Sequence, residues 1–130
     1  APGKRSERTT EGGLDVIGGH DHLKIIAAEL KRAGVRVSLF IEPSMEALDA
    51  ALSIGAPIVE LHTGSWCDAL FHGELEKADH EFGRIRVAAA RAYELGIESP
   101  ESLALQLLII IINRIYYILI LIISVTCRRQ

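Results

Sequence analysis

The sequence predicts an α/β fold in which parallel strands are covered by helices, followed by a separate C-terminal hydrophobic helix. Three observations carry this expectation. Apolar spacing alternates between helical and strand periods from residue 20 to residue 95. The two strand-like runs, VRVSLFIE and PIVELHT, each put ionisable or polar residues on one face and apolar ones on the other. Residues 103–127, LALQLLIIIINRIYYILILIISVTC, contain nine Ile and six Leu and no acidic residue.

The chain opens with APGKRSERTTEGG, polar and glycine-rich, which carries no secretory signal. It lacks an initiator Met, so Ala1 is expected not to be the biological start. Gly12 and Gly13 suit a turn that needs positive φ. The segment HDHLKIIAAELKRA, residues 20–33, spaces Leu23, Ile26, Ala27, Leu30 and Ala33 as one helical stripe, with Asp21 as N-cap and Gly34 as stop. A strand over 35–42 sets Val35, Val37, Leu39 and Ile41 against Arg36, Ser38, Phe40 and Glu42. Ser44 caps a second helix with Met45, Leu48, Ala51 and Leu52 inward, and Gly55 with Pro57 ends it. The second strand follows, then a polar loop to about residue 75, then a third helix over about 76–95 with Phe82, Ile85, Ala89 and Ala92 inward and Gly96 as stop.

Strand, helix, strand and helix at this spacing indicate βαβ units and a parallel sheet. Helices cover the apolar faces, leaving Ser38, Phe40 and Glu42 on the other side of the first strand. Ile58, Glu60 and His62 share the equivalent face of the second. A carboxylate and an imidazole inside a short apolar strand are costly unless wet or partnered. In a closed β/α barrel that face is the lumen, and its polar groups line the catalytic mouth. An open doubly wound sheet, with ligands at the same strand ends, is the alternative.

At 130 residues the chain has one domain's length, and its net charge of −3 gives no case for a nucleic-acid partner. Residues 1–102 hold all 17 acidic residues, and the basic residues beyond them are Arg114, Arg128 and Arg129. Cys67 and Cys127 form no framework or metal spacing, and sparse cysteine use suits a reducing compartment. His20 and His22 supply two nitrogens without a third ligand, so no metal is expected, and a solvated helix start is preferred. Cys67 has no His–Asp arrangement beside it in sequence. Trp66 and Phe71 are placed to cover the mouth or a subunit contact, whereas Lys31, Arg32, Arg84, Arg86 and Arg91 suit solvated helix faces.

KRSERTTEGGLDV (4–16), VSLFIEP (37–43) and GAPIVELHTGSWCDA (55–69) together resemble the pyridoxine 5′-phosphate synthase family of vitamin B6 biosynthesis, in order and spacing, over roughly residues 2–98. The resemblance implies part of a (β/α)8 TIM barrel, from about the end of strand 4 to helix 6. It implies a cytoplasmic transferase that condenses 1-deoxy-D-xylulose 5-phosphate with 3-amino-2-oxopropyl phosphate, without metal or organic cofactor. Phosphorylated small molecules are then the expected ligands, and homo-oligomers the expected assembly. By resemblance Thr9 binds the deoxyxylulose phosphate and Glu60 stabilises the transition state, where iminium-like and protonated amine intermediates develop positive charge. His62 and Thr63 belong to the same motif and are expected at the mouth.

The family's principal base, a histidine on the second strand, and a glutamate on the third belong to elements that would precede residue 1. A proton-donating histidine in a Gly-His motif is expected just after ELGIE, where this sequence runs SPESLALQLL, with no histidine after His80. The phosphate-binding glycines of the seventh and eighth strands are missing too. The resemblance therefore implies that the chain does not catalyse the family reaction alone. Residues 99–102 are the junction to a tail, 103–130, outside the family pattern. Three origins for that tail stay open: a non-native end, a membrane anchor, or a buried segment replacing barrel parts. Its length suffices to cross a bilayer, which takes about 20 apolar residues.

Overall fold

The computed structural model describes residues 12–128. They form a mixed α/β arrangement, mostly helical, with a small parallel sheet. In chain order the elements are α1 (His20–Arg32), β1 (Ser38–Ile41), α2 (Met45–Ile54), β2 (Ile58–Leu61), α3 (Gly64–Phe71), α4 (Leu75–Glu94) and α5 (Pro100–Arg128). β1 and β2 pair in parallel, with Ser38 opposite Ile58 and Phe40 opposite Glu60. Backbone hydrogen bonds widen the sheet on both flanks. The Leu14 N–H donates to the Phe40 carbonyl at 2.6 Å, and the Val59 N–H donates to the Glu98 carbonyl at 2.9 Å.

Strand alternation sends Leu39, Ile41, Val59 and Leu61 to the helix-covered face, where all four are buried. Ala47, Leu48, Ala51 and Ile54 of α2 meet them, as do Ile85, Ala88, Ala89 and Ala92 of α4. The expected punctuation is present. The Ser44 Oγ accepts from the Ala47 N–H at 3.1 Å, and Gly34, Gly55 and Gly96 close their helices at positive φ.

Several expectations are corrected. Residues 64–71, expected in a loop, are α3, which packs Trp66 against Phe82 at 5.6 Å between ring centroids and buries Ala69. Asp21 does not cap α1; Gly19 holds that position, and Asp21 sits in the first turn 2.9 Å from the His20 ring. β1 starts at Ser38 because the Val35 N–H bonds back to the Leu30 carbonyl, which keeps Val35 in the exit from α1. Met45 and Leu52 are exposed, and Ala27 is the one fully buried residue of the α1 stripe. Gly13 is also absent from the positive-φ glycines, and its requirement is a close approach instead.

The apolar segment is one continuous helix. Ser99 starts it, its Oγ accepting from the Ser102 N–H at 3.1 Å, with Pro100 in the first helical position. Glu101 turns back toward β2: one carboxylate oxygen accepts from the Leu61 N–H at 3.1 Å, and the other accepts from the Ser99 hydroxyl at 2.8 Å. Leu105 packs on the core, while every described side chain from Leu107 to Thr126 is exposed. The tail therefore does not fold back over the sheet. Among the described residues, Pro100–Thr126 is the helix long and apolar enough to cross a membrane.

Candidate functional site

The uncovered face of the β1–β2 pair gathers the polar residues that alternation puts there. Ser38 and Glu60 both point to it, and the Ser38 hydroxyl donates to Glu60 Oε1 at 3.1 Å. Glu60 remains exposed, so its carboxylate is accessible without desolvation. Toward the strand ends, the Phe40 ring meets His62 nearly edge-on, with centroids 5.4 Å apart and planes at 75°. β2 ends at Leu61, yet the His62 N–H still donates to the Ile41 carbonyl at 2.8 Å, which carries the strand register one residue further. The His62 side chain is only 9% exposed.

Glu42, the first residue after β1, joins this group from the neighbouring strand end. Its Oε1 accepts from the Gly13 N–H at 3.1 Å and stands 3.2 Å from His62 Nδ1. Two glycines make the arrangement possible. A Cβ on Gly13 would lie 2.5 Å from the Glu42 nitrogen and the Ile41 carbonyl carbon. A Cβ on Gly64 would lie 2.6 Å from His62 Cε1. Neither neighbour is a flexible side-chain end, so both positions exclude side chains sterically.

Of the residues expected at the mouth, Glu60 and His62 thus lie on one face, each engaged across to β1. Thr63 is half-buried at the N-cap position of α3 and makes no side-chain cap bond there. Thr9 lies outside the described residues. Glu42 was expected on this face, but its contacts with Gly13 and His62 were not. The signal was its shared parity with Ser38 and Phe40; its partners are far away in sequence. Trp66 braces α3 against α4, and Phe71 is fully in solvent. His20 bonds to Ser53 Oγ at 2.9 Å. Among the described residues no group of three His, Cys, Asp or Glu side chains is placed to hold a metal ion. Two carboxylates and an imidazole around an open face are suited to stabilising positive charge and moving protons.

A family model described as pyridoxal phosphate biosynthesis protein PdxJ matches residues 1–112. The chain belongs to the PdxJ family. Its relatives include pyridoxine 5′-phosphate synthases. That of Rhodospirillum rubrum is 59% identical over 97 residues, 75% of this chain and 38% of the relative. The enzyme of Xanthobacter autotrophicus is 50% identical and that of Bradyrhizobium sp. (strain ORS 278) 48% identical, each over 97 residues, 75% of this chain and 38% of the relative. The chain thus spans less than half the length of these curated relatives. The PdxJ match runs beyond residue 98 into the first turns of α5, where Ser99 and Ser102 are buried and Leu105 packs on the core.

Proposed function

We propose that this chain supplies one wall of a pyridoxine 5′-phosphate synthase site, on a partial (β/α)8 barrel running from about the end of strand 4 to helix 6. In this role Thr9 contacts 1-deoxy-D-xylulose 5-phosphate. Glu60 stabilises positive charge as the sugar phosphate condenses with 3-amino-2-oxopropyl phosphate. The observation that carries the proposal is the exposed Glu60 carboxylate beside His62 at the ends of two parallel strands, in a chain of the PdxJ family. A cytoplasmic location is part of this reading, and the family's description as a pyridoxal phosphate biosynthesis protein supports the biosynthetic role. Three acid/base groups of the family are not among these residues, so the 130-residue chain binds sugar phosphate but does not turn over by itself.

Titration of the chain with 1-deoxy-D-xylulose 5-phosphate tests this. Sugar-phosphate binding is expected in the native chain and to change by less than about threefold in Glu60→Gln, because the positive charge that Glu60 stabilises develops only on condensation with the amine. The exposed position keeps the change in stability within about 0.5 kcal/mol. Formation of pyridoxine 5′-phosphate by the purified chain would refute the inactivity, and absence of sugar-phosphate binding would refute the site.

A second role is favoured by the exposure of the described side chains of α5 from Leu107 to Thr126: a membrane-tethered fragment without catalysis. Arg114 at the centre of an inserted helix costs about 2.5–3.5 kcal/mol, whereas each Ile or Leu contributes about 0.3–0.6 kcal/mol in favour of insertion. With nine Ile and six Leu, insertion wins. Carbonate-resistant membrane retention that disappears on deletion of residues 103–127 is the expected result. A chain recovered wholly in the soluble fraction would eliminate this role.

A further inference from the structure

We infer that one face of α5 docks against the same face of α5 in a second copy of this chain, inside a bilayer, through paired Asn113 side chains. The inference rests on the membrane-tethered role and adds what the tether does once inserted. Leu103, Ile110, Tyr117 and Ser124 recur at seven-residue spacing, and Asn113 and Ile120 alternate with them. That spacing places all six on one face of the helix, as in the seam of a coiled coil. Arg114 and Tyr116 flank the face on opposite sides.

The seam holds hydrogen-bonding groups that the helix leaves unmet. Thr126 lies off the seam, and its hydroxyl donates to the Ile122 carbonyl at 2.8 Å. Among the described residues, Asn113, Tyr117 and Ser124 have no such side-chain bond. Lipid tails offer neither donors nor acceptors, so an amide near the middle of the span is costly until another helix bonds it. The seam is also clear of the folded domain: Leu105 packs on the core, whereas Leu103 and each seam residue after it are exposed.

A second copy is the occupant that the amide favours. An Asn carboxamide carries both donor and acceptor, so it is its own complement. Copies inserted through the same helix keep their folded domains on one side of the bilayer. Every Asn113 then lies at the same depth, and the helices pair in parallel about a twofold axis. A lone buried Asn in such a seam sets register and the dimeric state. Arg114 stands on the flank, so pairing does not bury two like charges against each other.

The test uses the full 130-residue chain in phosphatidylcholine vesicles, with Cys127→Ser and a donor or acceptor dye on the exposed Cys67. Vesicles are washed with carbonate, and energy transfer is read on the retained chain. Retention is expected, with transfer that unlabelled native chain displaces. Unlabelled Asn113→Leu is expected to displace it about three- to thirtyfold less effectively, the worth of an interhelical hydrogen bond. Asn113→Gln keeps the amide and is expected to compete like the native chain. Adding Ile115→Asn to Asn113→Leu moves the amide to the opposite face and is expected to leave competition weak. Retained chain whose transfer does not exceed that of randomly placed dyes overturns this inference and leaves the tether standing. Full displacement by Asn113→Leu, or recovery in the double variant, overturns the seam. A chain that carbonate strips from the vesicles refutes the tether itself, and this inference with it.

Discussion

Gly64 and Gly83 are both helical glycines, and their surroundings give them opposite expected responses to the same substitution. A Cβ at Gly64 meets the buried His62 ring, whereas a Cβ at Gly83 meets nothing within 4 Å. Gly64→Ala is therefore expected to destabilise the chain by about 1–3 kcal/mol through overpacking and to move the His62 side-chain resonances. Gly83→Ala is expected to stabilise by about 0.5–1 kcal/mol, because alanine loses less backbone freedom inside a helix. Urea unfolding midpoints of the two variants check both signs. At this level the sequence was informative where a residue broke its local pattern. Glu60 and His62 stood out because a strand's parity put them among apolar neighbours. The grip of Glu42 on Gly13 was hidden, since a chain 29 residues apart carries no local trace of that contact.

Leu48 of α2 is completely buried in a core whose other members are seven alanines and eight larger apolar residues already packed together, so little can move in to replace it. Leu48→Ala is expected to cost about 2–5 kcal/mol, read as a lowered unfolding midpoint at unchanged slope. The helices that sequence located best were those with chemical punctuation at both ends. α2 has Ser44 before it and Gly55 after it, and both act as expected. α3 escaped notice for physical reasons: eight residues, no side-chain cap, and Ala69 as its one buried residue. Its helicity comes from docking on α4 through Trp66 and Phe82, which is tertiary information. The α1 stripe was read as more inward than it is because periodicity reports which face is apolar, not what covers it. Ile26 and Leu30 share the stripe with Ala27 and are exposed.

The alternation of strands and helices is a local property and could be read along the chain, and the parallel pairing of β1 with β2 agrees with it. Closure into a barrel depends on strands beyond this pair, so no local pattern reports it. The course of the tail after residue 99 was legible in composition but not in its first turn. There Ser99 and Glu101 tie α5 to β2 by side-chain hydrogen bonds. Glu101→Ala removes the acceptor of the Leu61 N–H. Amide exchange at Leu61 is expected to quicken by about tenfold or more, with Val59, bonded to the Glu98 carbonyl, little changed.

A carboxylate that occupies the place of a backbone carbonyl has a wider consequence. Along the free margin of β2, the amides of Val59 and Leu61 would otherwise form a docking rail for any extended peptide, including another copy of this chain. Glu98 covers the first with its main chain, and Glu101 covers the second with a removable negative charge. The margin is thereby shielded against templated growth, with Glu101 serving Leu61 as a neighbouring strand's carbonyl would.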